Sequence, residues 1–325
     1  MLRRLKLITL SAGASLLISA ALPPETALPP LSPEQSQALV TRTDGADRMT
    51  VGVKIGGRGP FPFVIDTGAE RTVISTELAG ALRLAPSASA TLHSLSEVGI
   101  VPMVLIPQLT VSNATIQNIR APALGRANMG AVGILGIDTL QDQRVILDFR
   151  KGQMTVMPAA ERDSGQSGDD IVVRARSRFG RLVLADAEAD GQKIFVILDT
   201  GAQLSVGNPA LHARLIRKRK NASGPIELIS VTGGKVQGQA ALLHKVRIGG
   251  IELRDMSITI ADAHIFRQLQ LGNRPAILLG MDALRGFNRV SVDFANRKVR
   301  FLLPGGALRD TAIQSAENPP PQKRS

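Results

Sequence analysis

The chain has 325 residues, is 44% hydrophobic and carries a net charge of +12, which gives room for two domains of ordinary size with packed interiors. It contains no Cys, Trp or Tyr and only 9 Phe. That excludes disulfide staples, thiol nucleophiles and Cys-ligated zinc, and it argues against nucleic-acid binding, because few rings are on hand for base stacking. Val, Ile and Leu must then fill the core, and Val and Ile favour strands, so β-rich lobes are expected.

At the N-terminus Arg3, Arg4 and Lys6 precede the uncharged run "LITLSAGASLLISAAL", Leu7 to Leu22. A basic start, an apolar middle and small residues at the end form the pattern of a secretory signal over residues 1–22. Cleavage near Ala20 or Ala21 is preferred over an uncleaved inner-membrane anchor, since the apolar run is shorter than the roughly 20 residues of a spanning helix. The body of the protein is therefore expected in the periplasm or outside the cell. Residues 23–48 are Pro-rich and polar and are expected to be disordered.

A first lobe is expected over residues 49–157. "VGVKIGGRGPFPFVI" reads as a strand, a Gly turn and a second strand that ends on Asp66. Ser75 stands where a helix N-cap belongs, before "TELAGALRL". A hairpin turning at Ser112 and Asn113 follows, then "VGILGIDTL" as an apolar strand ending in glycine, then the closing hairpin "RVILDFRKGQMTV".

Residues 158–170, "PAAERDSGQSGDD", read as a linker. A second lobe over residues 171–303 repeats the first. "LVLADAEADGQKIFVIL" leads into Asp199, Asn208 takes the N-cap position, and Pro209 opens the helix "PALHARLI". A hairpin turning at Gly249 and Gly250, the strand "AILLGMDAL" and the closing hairpin "RVSVDFANRKVRF" complete the copy. The basic run Arg214 to Lys220 reads as the solvated end of a short helix. Residues 304–325 are expected to be a disordered tail.

Two copies of an apolar-apolar-Asp-Thr-Gly-Ala turn, each followed by an apolar-apolar-Gly-x-Asp-x-Leu segment, resemble the retropepsin-like aspartic proteases. The resemblance implies an all-β fold of two β-barrel lobes with short helices, related by a pseudo-two-fold axis. It implies that Asp66 and Asp199 form the catalytic pair and that Thr67 and Thr200 link the two active-site loops. Gly68 and Gly201 would let the backbone approach the acids, Ala69 and Ala202 would border the scissile bond, and Glu70 would contact substrate backbone; Gln203, the substrate-binding candidate at the matching position, departs from the acid of that pattern. Flaps are expected around His93 to Met103 and Ser230 to Gly238, the second with paired glycines at its tip.

Two carboxylates held close share one proton, since like charges at short range do not both ionise readily. The ionised acid then takes a proton from water while the protonated one polarises the peptide carbonyl. The expected activity is therefore aspartic endopeptidase (a hydrolase), with no metal or cofactor and with a peptide or protein as substrate. The alternatives are a catalytically inactive peptide-binding module of the same fold in the cell envelope, and an envelope scaffold using its basic surface. The basic balance gives an expectation of weak attraction to an anionic membrane surface. Pairing of Asp66 with Asp199 in a monomeric pseudo-dimer and like-with-like pairing in a homodimer are both open. Asp138 and Asp282 are expected to cap short helices, and Asp148 and Asp293 to be turn or edge residues. His93, His212, His244 and His264 are expected on the surface or in packing, since they lack metal-ligand spacing.

Overall fold

The computed structural model describes residues 39–40, 49–95, 98–161, 163, 170–178, 180–216, 222–304 and 313–314. The N-terminal segment read as a secretory signal lies outside them. The first half runs β1 (Leu39–Val40), β2 (Thr50–Ile55), β3 (Arg58–Ile65), β4 (Val73–Ser75) and α1 (Thr76–Leu82). The hairpin strands β5 (Ala85–His93), β6 (Val98–Val111) and β7 (Ala114–Leu124) follow, then α2 (Arg126–Met129). It ends with β8 (Gly133–Leu135), α3 (Ile137–Leu140), β9 (Gln143–Asp148) and β10 (Gln153–Pro158).

The second half repeats this order. It begins with β11 (Ile171–Arg174), β12 (Arg176–Arg178), β13 (Arg181–Ala189), β14 (Gln192–Leu198), β15 (Val206–Gly207) and α4 (Pro209–Ile216). Next come β16 (Ala222–Ile229), β17 (Lys235–Ile248), β18 (Ile251–Ala261) and α5 (His264–Gln268). The last elements are β19 (Ala276–Leu279), α6 (Met281–Leu284), β20 (Arg289–Asp293), β21 (Lys298–Leu302) and β22 (Ile313–Gln314).

Each half closes six strands into a barrel. In the first the order is β2-β3-β8-β4-β7-β6, and β2 pairs again with β6 to shut the ring. In the second it is β13-β14-β19-β15-β18-β17, shut by β13 on β17. Closure removes free sheet edges within each ring, and the matching order makes the halves two copies of one lobe.

The strands leading to the two aspartates are buried on both faces, which explains why they read as unbroken apolar runs rather than alternating ones. Phe63 and Ile65 enter the main core, while Val64 between them enters a smaller cluster on the opposite face. Val196 and Leu198 likewise face the main core, and Ile197 a second small cluster. The period of two sorts the side chains.

The closing hairpins of both halves merge into one six-stranded sheet, β1-β10-β9-β20-β21-β11. At its centre β9 and β20 pair antiparallel, setting Arg144 opposite Asp293 and Asp148 opposite Arg289. Arg144 donates to Asp293 at 2.8 Å, and both are nearly buried. Arg289 pairs with Asp163 from the segment between the lobes. Asp148 and Asp293 do occupy turns, accepting from Lys151 and Asn296 respectively, but Asp293 also ties the lobes together. Burial pushes the Asp293 carboxyl up, yet hydrogen bonds from Asn296 and Arg144 outweigh it and leave it below the ordinary range. One continuous apolar cluster runs through both barrels and this sheet, so the lobes do not have separate cores.

Two differences from expectation lie at the ends. β1 falls within residues 23–48 and pairs with β10, and β22 falls within residues 304–325 and pairs with β18. Each extends its sheet by one short strand. Both helices with predicted caps begin as expected: Ser75 accepts from the Leu78 amide and Asn208 from the Leu211 amide. The basic run starts in the last turn of α4 with Arg214, and residues 217–221 lie outside the described ones. Among the described residues no helix is long and apolar enough to cross a membrane.

Candidate active site

Asp66 ends β3 and Asp199 ends β14, each fixed by its own amide donating to the neighbouring strand. Asp66 N–H donates to the Leu135 carbonyl and Asp199 N–H to the Leu279 carbonyl, both at 3.0 Å. The two turns then meet across the pseudo-two-fold. The Thr67 hydroxyl donates to the Leu198 carbonyl at 2.9 Å, and the Thr200 hydroxyl to the Ile65 carbonyl at 2.7 Å. Each hydroxyl also accepts from the other threonine's amide at 3.1 Å. Both threonines are buried, so this reciprocal set is shielded from water and holds the loops in one geometry.

The glycines bring the carboxylates together. A Cβ on Gly68 would stand 2.6 Å from the Asp199 carboxyl, and one on Gly201 would stand 2.3 Å from the Asp66 carboxyl carbon. Each acid therefore lies over the opposite lobe's glycine, where no side chain fits. Gly68 N–H donates to Asp66 at 2.7 Å, and the amides of Gly201 and Ala202 donate to Asp199 at 2.9 and 3.1 Å. Enclosure, the neighbouring Asp66 charge and its hydrogen-bonding carboxyl push the Asp199 carboxyl well above the ordinary range, against the opposing pull of those two amides. A single chain thus assembles both carboxylates, with Asp66 beside Asp199.

The later glycine motif supports the turns from behind. Ile137 N–H donates to the Ala69 carbonyl, and Met281 N–H to the Ala202 carbonyl, both at 2.9 Å. A Cβ on Gly136 would meet the Arg71 backbone at 2.3 Å and one on Gly280 the Leu204 backbone at 2.7 Å, so glycine is required for this approach. Asp138 and Asp282 do not cap the short helices; the N-cap positions are Gly136 and Gly280, without side-chain bonds. Instead Asp138 accepts from both the amide and the hydroxyl of Thr72 at 2.8 Å. Asp282 does the same with Ser205, at 2.8 and 2.6 Å. Those hydroxyls in turn accept from the Gly136 and Gly280 amides. The two aspartates are braces for the two Asp-Thr-Gly turns.

Glu70 and Gln203 are both exposed beside their turns. Glu70 accepts from Arg181 at 3.0 Å and from Gln268 at 2.8 Å, both belonging to the other lobe. Arg181, itself buried, also donates to the Gly68 carbonyl at 2.5 Å. Sequence reading did not single out Arg181. The signal was there: Arg181 stands 199 − 181 = 18 residues before its aspartate, and Arg48 stands 66 − 48 = 18 before the other. Arg48 lies outside the described residues.

Ala69 and Ala202 border the small apolar clusters beneath the flaps. The β5–β6 hairpin is the first flap and the β16–β17 hairpin the second, and their tips cross. Leu95 of the first flap packs on the second lobe's cluster, which includes Ala202 and Phe266. Val231 of the second packs on the first lobe's cluster, which includes Ala69 and Val64. Thr232 donates to Ser94 at 3.3 Å between the tips. Among the described residues no group of three or more His, Asp or Glu is placed to hold a metal.

Comparison with protein families agrees with this architecture. Residues 51–142 match the family described as gag-polyprotein putative aspartyl protease, and residues 185–283 match the family described as aspartyl protease. No curated protein matches the chain. The chain belongs to the retropepsin-like aspartyl protease family, as two such domains in tandem.

Proposed function

We propose that the protein is an aspartic endopeptidase whose one active site is built from Asp66 of the first lobe and Asp199 of the second. The observation that carries this reading is that each carboxylate lies over the opposite lobe's glycine, with enclosure and then the Asp66 carboxylate raising the proton affinity of Asp199. Such a pair holds one proton between two acids and titrates as a unit. The ionised member takes a proton from water, whose oxygen attacks the peptide carbonyl. The protonated member hydrogen-bonds the carbonyl oxygen as negative charge develops there, and a proton then passes to the leaving nitrogen.

An extended peptide would lie beneath the flaps and pair with them like an added strand, with Ala69 and Ala202 leaving space at the scissile bond. Glu70 and Gln203 are assigned to the substrate backbone on either side. The basic start and apolar run at residues 1–22 support export to the periplasm or beyond, cleaved or anchored.

The test is cleavage of a peptide library by the purified chain and by Asp66→Asn and Asp199→Asn. Loss of cleavage in both variants, with folding intact, is expected. Wild-type cleavage in either removes that residue from the mechanism. Binding of library peptides without turnover by the wild type would establish the inactive peptide-binding alternative instead.

A further inference from the structure

The two flaps are fastened differently. The second is held at its tip by an amide: Asn128 donates to the Thr232 carbonyl at 3.3 Å. The first is fastened by a histidine of the opposite lobe. The main-chain amide of His264, which does not titrate, donates to the Leu95 carbonyl at 3.0 Å, and the His264 ring stacks on His93, centroids 5.0 Å apart and planes within 17°. His93 Nδ1 and His264 Nε2 lie 2.8 Å apart. That distance requires one ring to donate and the other to accept. A neutral imidazole has one donor and one acceptor nitrogen, and a protonated one has only donors. The contact survives with zero or one proton added and fails with two.

We propose that the His93–His264 contact is an acid-released latch that holds the first flap on the second lobe and makes access to the site depend on pH. On the lead-in to α5 and on α5 itself, Asp262 and Arg267 form their own ion pair. The second flap presents the hydroxyls of Ser230 and Thr232, and its charged residues Glu227 and Lys235 pair with each other at 2.9 Å. Asp262, the carboxylate that favours a protonated His264, is itself engaged by Arg267 at 2.5 Å.

The sign follows from the surroundings. Enclosure, then His93 and Arg267, hold the His264 imidazole below the ordinary histidine range, partly offset by Asp262. The latched state therefore binds protons more weakly than the open one. Its stability is present above the open-state pKa and is lost as pH falls through the latched value. Histidine is the side chain for which this window falls near neutrality.

The inference rests on flap geometry and not on the catalytic reading, so its test uses no substrate. Hydrogen exchange across residues 90–103 of the full chain is followed from about pH 7.5 to about pH 5 and corrected for intrinsic rates. Opening of the first flap should rise by up to about tenfold per pH unit once the second ring protonates, with no such step at residues 229–235. His93→Phe and His264→Phe keep an aromatic ring without a titrating nitrogen, and their flap exchange should be flat with pH. A wild type without pH dependence, or variants that retain it, overturns the latch. Imidazole proton resonances of the wild type give a second reading: two coupled titration steps are expected, and two independent ordinary histidines would overturn it. An absence of peptidase activity would defeat the proposed function and leave both of these measurements standing.

Discussion

In the first lobe Glu70 takes hydrogen bonds from Arg181 and Gln268 across the interface; the matching position in the second lobe is the uncharged Gln203. Thr67 and Thr200, by contrast, make the same bonds in both directions, and Gly68 and Gly201 each seat the other lobe's acid. The contrast separates two kinds of residue. Groups that build the carboxylate pair must work identically from both sides, because each constrains the other. Groups at the cleft rim and the flaps are those that the proposed peptide, with no symmetry of its own, would touch, and the lobes differ there.

The largest effect expected is from Asp66→Asn and Asp199→Asn, each lowering kcat by about a thousandfold or more. Unequal losses would show that the lobes do not contribute equally to one site. The Asp199 proton also bears on stability. The folded chain binds it more tightly than the unfolded chain, so its contribution is present in acid and is lost as pH rises through the raised pKa. Asp199→Asn should therefore raise Tm at neutral pH while abolishing turnover, which calorimetry would read.

Gly68→Ala and Gly201→Ala come next. Each places a methyl against the opposite carboxyl, and displacement of a catalytic group by about 1 Å is worth roughly a hundredfold in rate. Equal losses are expected in kcat assays, and a tolerated Ala in one lobe alone would break the symmetry claimed for these turns. Arg144→Met should destabilise the fold by about 3 kcal/mol in urea titration, since it leaves Asp293 buried without its cation. The depressed Asp293 carboxyl adds a pH signature. Its stabilisation is present above the unfolded carboxylate range and is lost as pH falls through the folded value, so the gap between wild type and Arg144→Met should narrow in acid.

The smallest effect belongs to the asymmetric pair. Glu70→Gln should raise KM by about fivefold, because hydrogen bonds to a charged group weaken when the charge is removed. Gln203→Glu should change KM by less than that, because it removes no hydrogen bond to a charged group. Equal responses would remove the distinction between the two rims.

Much of this organisation was legible in the chain because it is local. Ser75, Asn208 and Pro209 announce their helices within a few residues, and the turns at Ser112–Asn113 and Gly249–Gly250 fall between the strands that they join. The repeat itself located both aspartates. What local pattern could not show was which groups answer one another over long separations. Arg144 and Asp293 are 149 residues apart, and their match appears only when the two Arg-x-x-x-Asp strands are laid antiparallel. Asp138 and Asp282 misled because an acid in a first helical turn ordinarily serves that helix; here Thr72 and Ser205 lie closer to hand. The crossing of the flap tips depends on the barrels' mutual placement, which no single stretch encodes.

The sheet that joins the closing hairpins has a consequence for how activity would scale. An enzyme assembled from two free copies loses its site on dilution, as mass action separates the halves. Here the halves are tethered and sewn together by main-chain bonds from β9 to β20, so each half meets the other at a fixed effective concentration. Turnover per molecule should then stay constant down to the most dilute sample that can be assayed.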